Sequence, residues 1–292
     1  MPELPEVETI RRQLHEVLPG QVIQAVSVLA QKSFLGSFDQ IVGARIARVH
    51  RRAKVLDIKL DNAMHILIHL KMTGQLIYVK NQRSNNIDGA SERIVGGHPT
   101  EDWVGTLPSK HTRVYLELSD GVLFFNDQRL FGWVKVVGDP DLENEYKNYG
   151  PDIIDTQKVT SAYFYTQLQA SRAPIKVVIL EQKRMAGVGN IYANDGLFEA
   201  RIDPRKPSNN LTRKESDALL SSLKKVMNLG IALGGASETN FLHINGMGGM
   251  YQKHFLVYKK LGNKCLRNGC NGMIQKIQLR GRGTFYCPLC QK

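Results

Sequence analysis

Val7, Ile10, Leu14, Val17 and Leu18 recur at helical spacing within MPELPEVETIRRQLHEVL, which predicts an amphipathic helix at the start of the chain. Pro5 suits the first helical position, where a missing N–H is no loss, and Glu3, Glu6 and Glu8 lie toward the positive end of the helix dipole. From residue 22 to 136 the chain instead shows short β-branched or alternating runs: QVIQAVSVL, ARIARVHR, AKVLDIKL, HILIHLKM, LIYVK, TRVYLEL, GVLFFND and GWVKVV. Turn signals such as LDNA and LSDG separate them, as in an antiparallel sandwich or barrel. The Gly-, Ser- and Asn-rich stretch between Val79 and Lys110 reads as a long surface loop or insertion.

A polar, Pro- and Gly-bearing segment, GDPDLENEYKNYGPDIID, marks a domain boundary. Beyond it the period turns helical in VTSAYFYTQLQA, KVVILEQK, NIYANDGLFEA and a long run from Thr212, where Thr212 and Glu215 match a capping box. The pattern is thus a β-rich half, a helical half and a short tail.

That tail changes the picture. The 292-residue chain has a net charge of +12, and residues 251–292 contribute nine Lys and Arg with no acid, so a polyanion, most commonly nucleic acid, is the expected partner. All four cysteines also lie there, Cys265, Cys270, Cys287 and Cys290, as C-x4-C, sixteen residues, then C-x2-C. Two thiolate pairs joined by a loop suit one tetrahedral zinc ion with no open position, hence a structural metal; two disulfides are the rival arrangement. The chain has no long apolar run and no leader pattern, so a cytoplasmic protein with no membrane association is expected.

Pro2 needs its own explanation. Initiator methionine is commonly trimmed before a small residue, leaving a secondary α-amine whose pKa of about 8 keeps far more of it unprotonated at neutral pH than a lysine at about 10.4. Such an amine is a nucleophile toward a sugar carbon or aldehyde, and the adjacent Glu3 supplies an acid. Elsewhere, HRRAK places Lys54 at a strand entrance, NDQRLFG presents Arg129 and Phe131 as an arginine beside an apolar wedge, and RMAGVGNIYAND sets Asn190 at a helix mouth suited to phosphate. Each of these has an ordinary structural explanation when taken singly.

In combination they do not. PELPEVET, HRRAK, IHLKMTG, DQRLFG, GVGNIYA, GGASETNF and GRGTFYCPLCQK occur in an order that resembles the bacterial formamidopyrimidine-DNA glycosylases, from end to end of the chain. The resemblance implies an α+β multidomain fold. An N-terminal helix with an antiparallel β-sandwich would form a catalytic domain (2–137), followed by a linker (138–155). A helical helix-two-turn-helix domain (156–250) and a zinc-ribbon hairpin finger (251–292) would complete it.

It further implies excision of oxidised purines from damaged double-stranded DNA, followed by β,δ-elimination. Pro2 would be the nucleophile, Glu3 the acid for sugar-ring opening, Glu6 a supporting carboxylate, Lys54 the acid for β-elimination and Arg282 the residue of δ-elimination and phosphate grip. Met72, Arg129 and Phe131 would fill the space of the extruded base. His111, Arg172, Lys176 and Asn190 would contact DNA, and a monomer is expected. The chain departs from the family pattern in its C-x4-C spacing, in Leu130, in VYKK and in GGASETNF. The alternatives are an endonuclease VIII-like enzyme for oxidised pyrimidines, which usually opens PEGPE where this chain has Leu4, and a non-catalytic zinc-ribbon DNA-binding protein.

Overall fold

Glu3 is the N-cap of the first helix, α1 (Leu4–Val17), and its backbone N–H donates to Glu6 Oε2 at 2.8 Å. Pro5 is therefore the second helical residue, not the first; its missing N–H is equally harmless there, because the opening donors of a helix have no intrahelical acceptor. Val7, Ile10, Leu14 and Leu18 are buried as one stripe, each contributing about 1.5–3 kcal/mol of apolar burial. The computed structural model describes residues 2–81, 93–98, 100–236 and 249–292. Met1 and the Ser237–Phe241 part of GGASETNF lie outside the described residues.

The stripe packs on a β-sandwich whose strands are β1 (Ile23–Val28), β2 (Phe34–Leu35), β3 (Ile46–Arg52), β4 (Val55–Leu60), β5 (Met64–His69), β6 (Gly74–Lys80), β7 (Arg93–Gly97), β8 (Thr112–Leu118), β9 (Gly121–Asp127) and β10 (Trp133–Gly138). One sheet runs β1-β8-β9-β6-β7 and the other β2-β10-β5-β4-β3. Every pairing is antiparallel except the short one between β2 and β10. In β8 alternation sends Thr112, Val114, Leu116 and Leu118 inward, the period-two signature of a strand with one solvated face. Ile58, Ile66, Ile68, Leu76, Leu116, Leu123, Phe125 and Val134, from both sheets, share one core with α1.

Two segments differ from the sequence expectation. Within the stretch expected to be a loop, Arg93–Gly97 forms β7, and Trp103 is buried against Ile77, Val95 and Phe124. The glycines that suggested a loop are instead demanded by packing: a Cβ on Gly96 would collide with the Ile10 side chain, so only glycine lets α1 lie on this strand. Within the expected linker, Asp139–Tyr146 forms α2, although none of its residues is buried. Its ends are held by side chains distant in sequence. His65, 2% exposed, lies between Asp57 Oδ1 (2.6 Å) and Asp139 Oδ1 (2.7 Å), while the Tyr146 hydroxyl donates to Asp57 Oδ2 (2.8 Å). Burial lowers the His65 pKa, but its hydrogen bonds to the two carboxylates outweigh that and leave it raised.

The chain divides into two compact units, Met1–Tyr146 with Gly234–Gly249, and Lys147–Leu233 with Met250–Lys292. The second contains α3 (Ser161–Gln169), α4 (Ile175–Ile179), α5 (Asn190–Glu199), α6 (Arg213–Ala232) and the hairpin of β11 (Gln275–Leu279) and β12 (Arg282–Tyr286). The Thr212–Glu215 capping box forms as expected: Thr212 Oγ1 accepts from Glu215 N and Glu215 Oε2 accepts from Thr212 N. Asp195 of α5 is wholly buried, accepting from the Tyr251 hydroxyl and the backbone N–H groups of Val257 and Tyr258. Burial raises its pKa against those hydrogen bonds. It thereby fixes the path into the cysteine-bearing tail. No helix among the described residues is long and apolar enough to cross a membrane.

Candidate active site and zinc centre

Pro2 and Glu3 are buried immediately before α1. Glu6 holds this start in place from two directions, because Oε2 accepts from Glu3 N and Oε1 accepts from Ala236 N at 2.7 Å. Lys54 is also buried, on the two-residue turn between β3 and β4, where Arg52 pairs with Val55. The first turn residue, Ala53, has φ +55°, a left-handed conformation that costs an L-residue about 1–2 kcal/mol.

His69 stands in IHLKMTG, where its residue type gives no sign of a role. It pairs with Val55 across β4 and β5, and its Nδ1 accepts from Lys71 N at 3.0 Å. Burial, with the positive charges of Lys71 and Lys54, pushes its pKa down to about 3. A neutral imidazole therefore sits beside Lys54 at physiological pH.

Glu8 carries an ionic cluster, contacting Arg11, Arg12 and Arg51 at 2.9–3.1 Å. Burial alone would raise its pKa, but the hydrogen bonds of Arg11 and Arg12 and the charge of Arg51 lower it from 4.5 to about 2. A depressed carboxylate pKa stabilises the fold above the unfolded value and loses that contribution as pH falls through the folded one. The stability gap between the native chain and Glu8→Gln is thus expected to be constant above about pH 5 and to vanish toward pH 2, read by urea unfolding across that range.

Met72, Arg129 and Phe131 are exposed, and the Arg129 guanidinium lies 4.8 Å from the Phe131 ring centroid. Asp127, fully buried at the end of β9, organises their loops. It accepts from Thr73 Oγ1, from Arg129 N at 3.1 Å and from Gly132 N at 2.7 Å. Lys71, next to Met72, and Leu130, between Arg129 and Phe131, both have positive φ. Strained backbone of this kind collects at functional sites. Leaving these donors without an acceptor is expected to make Asp127→Ala less stable by about 2–4 kcal/mol in urea unfolding.

His111 is half-buried, with Nδ1 2.8 Å from Asp102 Oδ2. In the second unit Arg172 is exposed, but Lys176 is completely buried. Its ammonium donates to Gly283 O (2.9 Å), Thr284 Oγ1 (2.8 Å) and Asn194 Oδ1 (3.2 Å). The expectation of a DNA contact at Lys176 is corrected accordingly: the lysine stitches α4 and α5 to β12. Asn190, the first residue of α5, donates from Nδ2 to Gly283 O at 3.1 Å, and Asn194 accepts from Phe285 N at 2.8 Å. The same hairpin carries exposed Arg282 at its tip, one residue from the Asn190 contact.

The four cysteine sulfurs lie within 4.8 Å of one another, with Cys265–Cys290 at 3.8 Å and Cys270–Cys287 at 3.6 Å. Zn–S bonds of about 2.3 Å at tetrahedral angles require S···S edges of about 3.8 Å, whereas a disulfide needs about 2.05 Å, so the set fits one metal ion and no bridge. Burial pushes the Cys265 thiol up to about 12, so a cation is needed to hold it as thiolate. Within C-x4-C, Cys270 N donates to Arg267 O, Cys265 N reaches Gly272 O, and a Cβ on Gly272 would press on the Cys287 and Cys270 sulfurs.

Three family models match successive segments: the formamidopyrimidine-DNA glycosylase N-terminal domain over residues 1–134, the formamidopyrimidine-DNA glycosylase H2TH domain over 149–241, and the zinc finger found in FPG and IleRS over 262–292. The formamidopyrimidine-DNA glycosylase of Carboxydothermus hydrogenoformans is 34% identical over 297 residues, covering all of both chains. That of Pelotomaculum thermopropionicum is 35% identical over 300 residues, covering 100% of this chain and 99% of its own. Among solved structures, the complex between Lactococcus lactis Fpg and abasic-site DNA matches with TM-score 0.85 at 30% identity. The complex of the wild-type protein with DNA containing N7-benzyl-Fapy-dG matches with TM-score 0.84 at 31% identity. Both matches cover all of both chains.

Proposed function

The chain belongs to the formamidopyrimidine-DNA glycosylase family, and we propose that it removes oxidised purines, 8-oxoguanine and formamidopyrimidines, from duplex DNA and cleaves the resulting abasic strand through a Schiff base on Pro2. It is a base-excision repair glycosylase with AP lyase activity, carrying a site for one structural zinc ion. The observation that carries the residue-level reading is the anchoring of the N-terminus: Pro2 and Glu3 are buried at the head of α1, with Glu6 fixing the backbone between them and the 234–236 segment.

After removal of Met1, the Pro2 nitrogen attacks C1′ of the damaged nucleoside as the bond to the base breaks, and the departing base takes up a proton. Glu3 protonates the ring oxygen as the sugar opens, leaving a C1′=N iminium. That cation draws electrons from C2′, so loss of the C2′ proton expels the 3′-phosphate, with Lys54 the acid in this elimination. A second elimination expels the 5′-phosphate beside Arg282. Hydrolysis of the iminium restores the amine.

Met72, Phe131 and Arg129 replace the extruded nucleotide in the stack, with Arg129 reading the orphaned cytosine. Their support from Asp127 makes the wedge rigid before it meets DNA, which offsets the few kcal/mol that flipping costs. His111, Arg172 and Asn190 serve the backbone phosphates. A zinc ion held by Cys265, Cys270, Cys287 and Cys290 would take no part in the bond changes and would brace the hairpin that presents Arg282. The enzyme acts as a cytoplasmic monomer, with the sandwich domain supplying catalysis and the helical domain and finger the grip on DNA.

The proposal is tested by borohydride trapping of Met1-free protein on duplexes carrying 8-oxoguanine opposite cytosine, in parallel with an oxidised pyrimidine. Preferential trapping on the purine duplex is expected. Preference for the pyrimidine would move the chain to an endonuclease VIII-like specificity, and absence of any adduct would leave only DNA binding.

A further inference from the structure

Glu8 lies on the second turn of α1 and collects donors from two elements. Its Oε1 accepts from Arg11 Nη2 (3.0 Å) and Arg12 Nε (2.9 Å), and its Oε2 from Arg11 Nε (3.1 Å) and Arg51 Nε (3.1 Å). Arg11 and Arg12 belong to the helix itself and fix the orientation of the carboxylate. Arg51 comes from β3, and its side chain is only 7% exposed. The same guanidinium donates from Nη1 to Ala53 O at 2.7 Å. That carbonyl belongs to the peptide bond whose nitrogen is Lys54.

The path therefore runs from the helix that begins at Pro2, through one carboxylate and one guanidinium, to the turn that carries Lys54. A brace serving stability alone has no need to end there. Ala53 holds a left-handed conformation, and without the Arg51 donor on its carbonyl the turn has an incentive to relax and carry Lys54 with it. A second tie, Val49 N to His15 Nδ1 at 3.2 Å, secures the far end of α1 on the same strand, so the Glu8 contact acts at the end nearest Pro2.

We propose that Glu8 and Arg51 are positioning residues that set Lys54 against the start of α1, and that they govern the elimination step rather than formation of the Schiff base. This rests on the roles given above to Pro2 and Lys54. A displacement of about 1 Å in a reacting group costs on the order of a hundredfold in rate, so loss of the relay is expected to slow elimination by about 10- to 100-fold.

Single-turnover cleavage of an abasic duplex by the full chain tests it, comparing the native protein with Glu8→Gln, Arg51→Met and Lys54→Ala at a temperature where circular dichroism shows all of them folded. The expected result is slow elimination in Glu8→Gln and Arg51→Met with unchanged affinity for the duplex, undiminished borohydride trapping, and partial recovery of rate in Glu8→Asp. Should Glu8→Gln fail to fold, Arg51→Lys carries the test, since a lysine keeps the charge but lacks the fork that reaches both Glu8 and Ala53 O. Native elimination rates in the Glu8 and Arg51 variants, or a parallel fall of trapping and elimination, would overturn the relay while Lys54→Ala remained slow. A native rate in Lys54→Ala would instead refute the role of Lys54, and the relay with it.

Discussion

Cys287→Ala is expected to empty the metal site and abolish strand cleavage while the sandwich unit stays folded. The reason lies in the poverty of the finger's own core. β11 has no buried residue, and the cluster behind the hairpin consists of little more than Phe198, Val257, Ile274, Phe285 and the cysteines themselves. A zinc ion binding such a segment supplies about 10 kcal/mol or more of its folding free energy. Cys287 is also tied into the surrounding structure, its N–H donating to Gln291 Oε1 while Gln291 Nε2 donates to Ile202 O. Loss of the metal releases the hairpin tip, and Arg282 with it. Metal analysis should fall from one zinc per chain to none, and incision by more than about a hundredfold, the range seen when a positioning element of a site is lost. Retention of full incision without zinc would show that the hairpin does not depend on the ion.

A chain that keeps a residue in front of Pro2 is expected to bind damaged duplex normally and to cut it at least about a thousandfold more slowly. An amide nitrogen has given its lone pair to the carbonyl and cannot form an iminium. Glu3, Glu6 and Lys54 would be untouched, so the comparison isolates the amine. Incision measured beside equilibrium binding checks the prediction; equal loss of both would mean that the extension blocks DNA entry instead.

Much of this was legible from residue order. The stripe of α1, the alternation in β8 and the Thr212 cap are local signals, and the structure follows them. The elements that escaped depend on partners far away in sequence. β7 exists because Gly96 admits Ile10, and α2 is held at its ends by Asp57 and His65, neither of which its own composition reveals.

The site shows the same division. The cysteines show a metal site by type and spacing, whereas Pro2 and the Arg129–Phe131 pair take their proposed roles from the motif order that resembles the family. The resemblance assigns Lys176 to DNA together with Arg172, whereas its position on α4 turns it inward onto Gly283 and Thr284. His69 was hidden among apolar strand residues. The left-handed conformations of Ala53, Lys71 and Leu130 leave no trace in residue type, since none of them is a glycine, yet each adjoins a proposed functional side chain.

The proposed chemistry turns on the Pro2 nitrogen becoming covalently bound to the sugar. Borohydride reduction of Met1-free protein during cleavage of an 8-oxoguanine duplex, followed by digestion and mass spectrometry of the adduct, addresses it most directly. The expected product is the reduced sugar on the peptide beginning Pro2-Glu3-Leu4. An adduct on Lys54 or another lysine, or none at all, would contradict it.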